Sequence, residues 1–123
     1  MKLLARKGAV VIMACRSIER GEKAKNHLIQ DLTSTGNNKI SELRSALNVE
    51  KNTTVDDLRE ELGKRLIVKK LDLGSLQSVK DFGESVIRDF AKLDSCIYNA
   101  GVAYVPYKLS QDGIESHIAI NHV

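Results

Sequence analysis

Gly8 is followed by an unbroken apolar run, Ala9 to Cys15 (AVVIMAC). A strand with one face in water alternates apolar and polar residues, so a run with no polar position predicts a strand buried on both faces, as in a parallel sheet covered by helices. Leu3 and Leu4 before it resemble the tail of a preceding helix. From Ser17 the pattern changes: Ile18, Ala24, Leu28 and Leu32 recur among Glu, Lys and Arg, predicting an amphipathic helix that Gly36-Asn37-Asn38 ends or follows. Leu66 to Leu71 reads as a second strand, β-branched at its start and more polar later, as near a sheet edge. Leu76, Val79, Phe82, Val86, Ile87 and Phe90 then fall at helical spacing, predicting a helix from about Ser75 to Phe90. A third short strand, Asp94 to Tyr98, closes at the turn signal Asn99-Ala100-Gly101. Strand, helix, strand, helix, strand requires crossover connections and a parallel sheet, so the expected class is α/β.

Asn38 to Gly63, between the first helix and the second strand, is more chain than a crossover requires. Ile40, Leu43 and Leu47 predict one short helix. Val55, Leu58 and Leu62 predict another, with Thr54 as N-cap, Asp57 as its capping-box partner and Gly63 just past its end. The segment reads as a surface helical insertion, with a helical hairpin that docks on a partner as the alternative.

The remaining composition narrows the function classes. The chain is 42% hydrophobic and 28% charged with a formal charge of +3, and its charges are interspersed. That pattern gives solvated helix faces rather than a nucleic-acid footprint. No stretch is long enough to span a membrane. The first residues lack the apolar core of a signal peptide, so any membrane attachment would come from outside this chain. Cys15 and Cys96 alone form neither a disulfide framework nor a paired zinc site, and His27, His117 and His122 show no ligand grouping. A reducing, cytoplasmic setting and no metal are expected.

Chemistry is expected at the strand ends. In a dinucleotide-binding sheet the strand preceding Arg16 ends beside the adenosine ribose. No carboxylate occurs there before Glu19; Arg16 instead offers a planar fork for a 2'-phosphate, with Ser17 as a neutral donor. Read alone, Arg16 is a solvent-facing residue after a strand. Asp72 with Leu73 could meet an adenine, the carboxylate accepting from the amino group and the leucine packing on the ring. Read alone, Asp72 is a helix-entry residue beside Gly74 and Ser75. At Asn99-Ala100-Gly101, the glycine permits close backbone approach, the alanine leaves room for a sugar, and the asparagine can brace neighbouring strands; an ordinary turn is the alternative.

In this order and spacing, these elements resemble the short-chain dehydrogenases/reductases, and NAGVAYVPYKLSQDGIESHIAINHV is especially similar to their retinol-dehydrogenase branch. The resemblance covers residues 1 to about 35 and about 64 to 123 and leaves the insertion without a counterpart. It implies that Arg16 selects the 2'-phosphate of NADP(H), that Asp72 and Leu73 contact adenine, and that Asn99, Ala100 and Gly101 lie beside the nicotinamide end. It also implies that Asn121 is the catalytic helix asparagine, which orders a water for the proton relay. The family's usual second asparagine before the NAG turn is Tyr98 here. Its glycine-rich phosphate loop is absent, and its serine and Tyr-x-x-x-Lys pair belong downstream of Asn121. Tyr104 and Lys108 have that spacing, but the motif needs a helix, and Pro106 disfavours one. The family's strand order puts Cys15 and Cys96 on strands separated by another, roughly 10 Å apart, too far for a disulfide.

Residues 1–123 are thus expected to form a partial Rossmann fold, a doubly wound parallel sheet lacking its first strand and C-terminal half. Arg16, Asp72 and the Asn99 turn should share the carboxyl-terminal rim of neighbouring strands. The implied reaction is hydride transfer between NADP(H) and an alcohol or carbonyl on a retinoid, steroid or other lipophilic substrate. The isolated chain is expected to be marginally stable and inactive, with possible self-association. The alternatives are a truncated non-enzymatic interaction protein and a different Rossmann enzyme such as a nucleotide-sugar epimerase.

Overall fold

The computed structural model describes residues 1–34 and 36–122. Val123, the last residue of the family-like stretch, lies outside the described residues, as does Thr35. The chain divides into two compact units, Met1–Lys69 and Lys70–Val123. No helix among the described residues is long and apolar enough to cross a membrane.

The first unit runs α1 (Lys2–Arg6), β1 (Val11–Cys15), α2 (Ile18–Thr33), α3 (Asn37–Leu47), α4 (Val55–Arg65) and all but the last residue of β2 (Leu66–Lys70). The strands form a two-stranded parallel sheet. α2 begins where Ser17 Oγ accepts from the Arg20 N–H at 3.3 Å, leaving its apolar face free to pack. The core joins Leu28, Ile29 and Leu32 of α2 to Leu43 and Leu47 of α3, Leu58 and Leu62 of α4, and Leu66. This corrects the surface placement expected for residues 38–63: the segment is helical, but its leucines complete the core, and Leu58 and Leu62 are wholly buried. The α4 capping box is present, with Thr54 Oγ1 accepting from the Asp57 N–H and the Asp57 carboxylate accepting from the Thr54 N–H, each at 3.2 Å. Gly63, expected past the helix end, lies inside α4, which continues to Arg65.

Arg65 ties these pieces together. Its Nη1 donates to the Gly8 carbonyl at 2.7 Å, Nη2 to the Leu47 carbonyl at 3.3 Å, and Nε to Glu61 at 3.0 Å. Gly8 itself has φ +77°, and a Cβ there would lie 2.2 Å from the Ala46 carbonyl oxygen, so only glycine fits. β1 is less buried than its composition predicts: Val11, Ile12, Met13 and Cys15 are half-buried and Ala14 is exposed. The sheet has two strands among the described residues, and α2 packs on β1.

In the second unit, α5 (Leu76–Asp89) has Ser75 as N-cap and Phe90 as C-cap, in agreement with its apolar spacing. Its first N–H, that of Leu76, donates to Asp112 Oδ2 at 2.8 Å. Leu109 and Glu115 form an isolated antiparallel bridge around a turn in which Gly113 has φ +75°. α6 (Ser116–Asn121) follows, capped by the Glu115 carboxylate. The expected strand at residues 94–98 is absent: the stretch has no ladder partner among the described residues, and Ile97 and Tyr98 are 68% and 94% exposed. A strand cannot persist on composition alone, because its backbone groups need a neighbour. Ile87, placed on the apolar stripe of α5, is 81% exposed.

Leu62→Ala should therefore lower unfolding free energy by about 2–5 kcal/mol in guanidinium titrations, whereas Ile87→Ala should change it by no more than about 0.5 kcal/mol. Equal losses would contradict the core described. Hydrogen bonds from the Thr54 hydroxyl, and then from its backbone, hold the Asp57 carboxyl below its ordinary 3.8. With the folded value below the unfolded one, this contribution is present above the unfolded value and lost as pH falls through the folded value. Asp57→Asn should remove that part of the acid sensitivity; an unchanged pH slope would argue against the box.

Candidate cofactor site

Arg16 immediately follows the last residue of β1, and Ser17 caps α2, so this strand end carries a guanidinium and a hydroxyl. Arg16 is exposed and makes no ion pair with the described residues. Cys15 Sγ donates to the Ser17 carbonyl at 3.3 Å, pinning the strand-to-helix step. Glu19 is held at 2.7 Å by Lys23 one turn along the helix. The donor set suits a phosphorylated ribose: an unpaired planar cation and a hydroxyl, with the nearest carboxylate in sequence neutralised.

Asp72 serves the local turn. Its Oδ1 accepts from the Gly74 N–H at 2.9 Å, its own N–H donates to Ser78 Oγ at 2.9 Å, and its carbonyl accepts from the Ser75 N–H at 3.1 Å. These bonds make it the helix-entry residue of α5, while Oδ2 accepts no hydrogen bond from the described residues. Leu73 is half-buried.

Asn99, Ala100 and Gly101 are exposed and follow irregular chain rather than a strand, so only the Arg16 site lies directly at a strand end. Asn121 joins this turn: its Oδ1 accepts from the Val102 N–H at 2.8 Å and its Nδ2 donates to the Val102 carbonyl at 2.9 Å. A Cβ on Gly101 would meet Asn121 Oδ1 at 3.4 Å, in van der Waals contact. Val102 escaped the sequence reading because it participates through its backbone, which no side-chain motif reports. At the other end of α6, Glu115 accepts from the His117 and Ile118 N–H groups and pairs with His117 Nδ1 at 2.8 Å. The hydrogen bond from the His117 side chain, then that from its backbone, lowers the Glu115 carboxyl below its usual value. Tyr104 has φ 57° and is fully exposed in non-helical chain, so the Tyr104–Lys108 spacing creates no helical pair.

A broad groove of about 780 Å³ lies between α2 and α4, lined by Lys25, Ile29, Arg59 and Gly63 among others. None of the expected cofactor residues line it, and it is separate from the Arg16 strand end. Asn121→Ala should speed exchange of the Val102 amide by about five- to tenfold, from loss of a hydrogen bond worth about 1 kcal/mol. Unchanged protection in hydrogen-exchange NMR would show that the clamp does not hold in solution.

No family model matches the chain, and no solved structure matches it. Among curated proteins it is 34% identical over 120 residues to retinol dehydrogenase 14 of Mus musculus, covering 98% of this chain and 30% of that protein. It is 36% identical to retinol dehydrogenase 14 of Homo sapiens, covering 98% of this chain and 31% of that protein. Retinol dehydrogenase 11 of Homo sapiens is 31% identical over 122 residues, 99% of this chain and 29% of that protein. The chain thus spans about 30% of the length of these relatives. Residues 38–63 lie inside the matched span, so the likeness is not confined to the two stretches flanking them. The matches run over nearly the whole chain, and with the α/β architecture they are consistent with a piece of a short-chain dehydrogenase/reductase of the retinol-dehydrogenase-like branch.

Proposed function

We propose that these residues form part of the cofactor site of an NADP(H)-dependent oxidoreductase that interconverts an alcohol and a carbonyl on a retinoid, steroid or other lipophilic substrate. The observation that carries the reading is the unpaired Arg16 guanidinium at the end of β1, beside the Ser17 hydroxyl, with Glu19 drawn off by Lys23. The names of the relatives support the reaction class. The cofactor, when bound, supplies or accepts the hydride. Arg16 and Ser17 take the 2'-phosphate, Asp72 through Oδ2 and Leu73 take the adenine, and Asn99, Ala100 and Gly101 take the nicotinamide side. Asn121 has both side-chain amide atoms on Val102, so its part in a proton relay is to position that turn, leaving its backbone for a water. No helical Tyr-x-x-x-Lys pair occurs among the described residues, so no turnover is expected of the purified chain.

Fluorescence titration of the purified chain should show NADPH binding at least about tenfold tighter than NADH, a preference that Arg16→Ala abolishes by removing a charged hydrogen-bonding group worth about 1.5–3 kcal/mol. Equal affinities would overturn the assignment. NADPH consumption with a carbonyl substrate by the same chain would refute the inactivity.

Self-association is the second reading, favoured by the exposure of Ile87, Ile97 and Tyr98 in the second unit. Deleting residues 38–63 cannot probe it, since that removes core leucines. Sedimentation of the intact chain should instead show oligomers that Ile97→Lys disperses, and a monomer at all concentrations would exclude them.

A further inference from the structure

The first N–H groups of a helix find no acceptor inside it and must be met from elsewhere. In α5 the Ser75 hydroxyl accepts from the Ser78 N–H, while the Leu76 N–H donates to the carboxylate of Asp112, thirty-six residues further on, at 2.8 Å. Beside this bond the Gln111 N–H donates to the Gly74 carbonyl at 3.4 Å. Gly74 in turn donates to Asp72 Oδ1, so the turn that carries Asp72 and Leu73 is fastened to residues 111 and 112.

Asp112 is exposed and stands at the tip of a tight hairpin. The Gly113 N–H donates to the Ser110 carbonyl, and the Asp112 and Ile114 N–H groups donate to Ser110 Oγ, each at 3.2 Å. The two arms meet at the bridge between Leu109 and Glu115, and the Ser116 N–H donates to the Lys108 carbonyl at 2.8 Å. The outgoing arm ends as the cap of α6, and α6 ends at Asn121 with its two bonds to Val102. One run of hydrogen bonds and helix thus connects the Asp72 turn, through Asp112, to the chain beside Gly101, all within the second unit.

We infer that Asp112 is a positioning residue that fixes the spacing between the Asp72–Leu73 turn and the Asn99–Gly101 turn. The inference rests on the cofactor reading above and adds to it a residue that touches no ligand. A carboxylate suits the place, because it accepts from an otherwise unmet N–H and its charge is favoured at a helix start. Spacing set before the nucleotide arrives lowers the ordering cost of binding to both turns.

Hydrogen-exchange NMR of the full chain without nucleotide reads the coupling. Asp112→Ala should speed exchange of the Leu76 amide about fivefold and of the Val102 amide about two- to threefold, from loss of one exposed hydrogen bond, and leave Val86 in α5 unchanged. Asp112→Asn keeps an acceptor oxygen and should restore most of both. Leu76→Pro removes the donor instead; proline suits the first helical position, and Ser75, at φ −144° and ψ 114°, already has the extended backbone that precedes one. It should loosen Val102 as Asp112→Ala does, and combining the two changes should add nothing. Faster exchange at Leu76 with Val102 unmoved, or additive effects of the two changes, would overturn the coupling. Calorimetry then reads the role in binding: Asp112→Ala should weaken NADPH, which reaches both turns, about three- to fivefold, and adenosine 2',5'-bisphosphate, which lacks the nicotinamide end, by less than about twofold. Equal losses for the two ligands, or none, would overturn the role of Asp112 and leave the cofactor reading standing. A wild-type chain that binds neither ligand would bring down that reading and this inference together.

Discussion

The contact between α2 and the sheet depends on Gly21. A Cβ at that position would lie 2.6 Å from both Cys15 Sγ and Val68 Cγ1, distances that no side chain can occupy. Glycine therefore lets the helix approach both strands closely, one turn after it begins. That approach sets where the chain must leave β1 and enter α2, and the step is only two residues long, Arg16 and Ser17. The Cys15 thiol bonded to the Ser17 carbonyl and the Ser17 hydroxyl bonded to the Arg20 N–H fix the same step from either side. A packing constraint inside the unit thus determines which polar groups stand at the strand end, and their chemistry follows from it.

The rest of the first unit supports that arrangement. Leu43, Leu47, Leu58 and Leu62 share one core with Leu28, Ile29 and Leu32 of α2, with α4 packed on α2 and α3 on α1. Arg65 fastens the α4 end to the Gly8 carbonyl just before β1. Residues 38–63 exceed what a crossover needs in length, yet without them the buried face of α2 would lose its main apolar partners. The second unit is organised by hydrogen bonds more than by core. Its buried apolar residues are few, chiefly Val86 and Ala119, and its turns close through Asp72, Ser110, Asp112 and Asn121.

Local signals in the sequence translated well. Ser75, the apolar spacing from Leu76 and the Thr54–Asp57 box located two helix starts, because caps and helical periodicity involve residues only three or four apart. The Leu66–Lys70 strand was legible for a similar reason. Non-local features were not. Residues 94–98 have strand composition but no ladder, since pairing depends on a distant partner that composition cannot supply. The leucines of α3 and α4 were recognisable as apolar stripes, but which helix they cover was not. At the site, Arg16 and Ser17 were readable from their position after an apolar run. The Asn121 grip on Val102, nineteen residues apart, was invisible because its partner is backbone.

The proposal that matters most is that Arg16 and Ser17, at the end of β1, take the 2'-phosphate of NADP(H). Amide chemical-shift mapping of the full chain during titration with NADP+ tests it most directly. Saturable shifts at Arg16 and Ser17 that are lost in Arg16→Ala are predicted. Shifts confined to the α2–α4 groove around Ile29 and Gly63 would contradict the proposal.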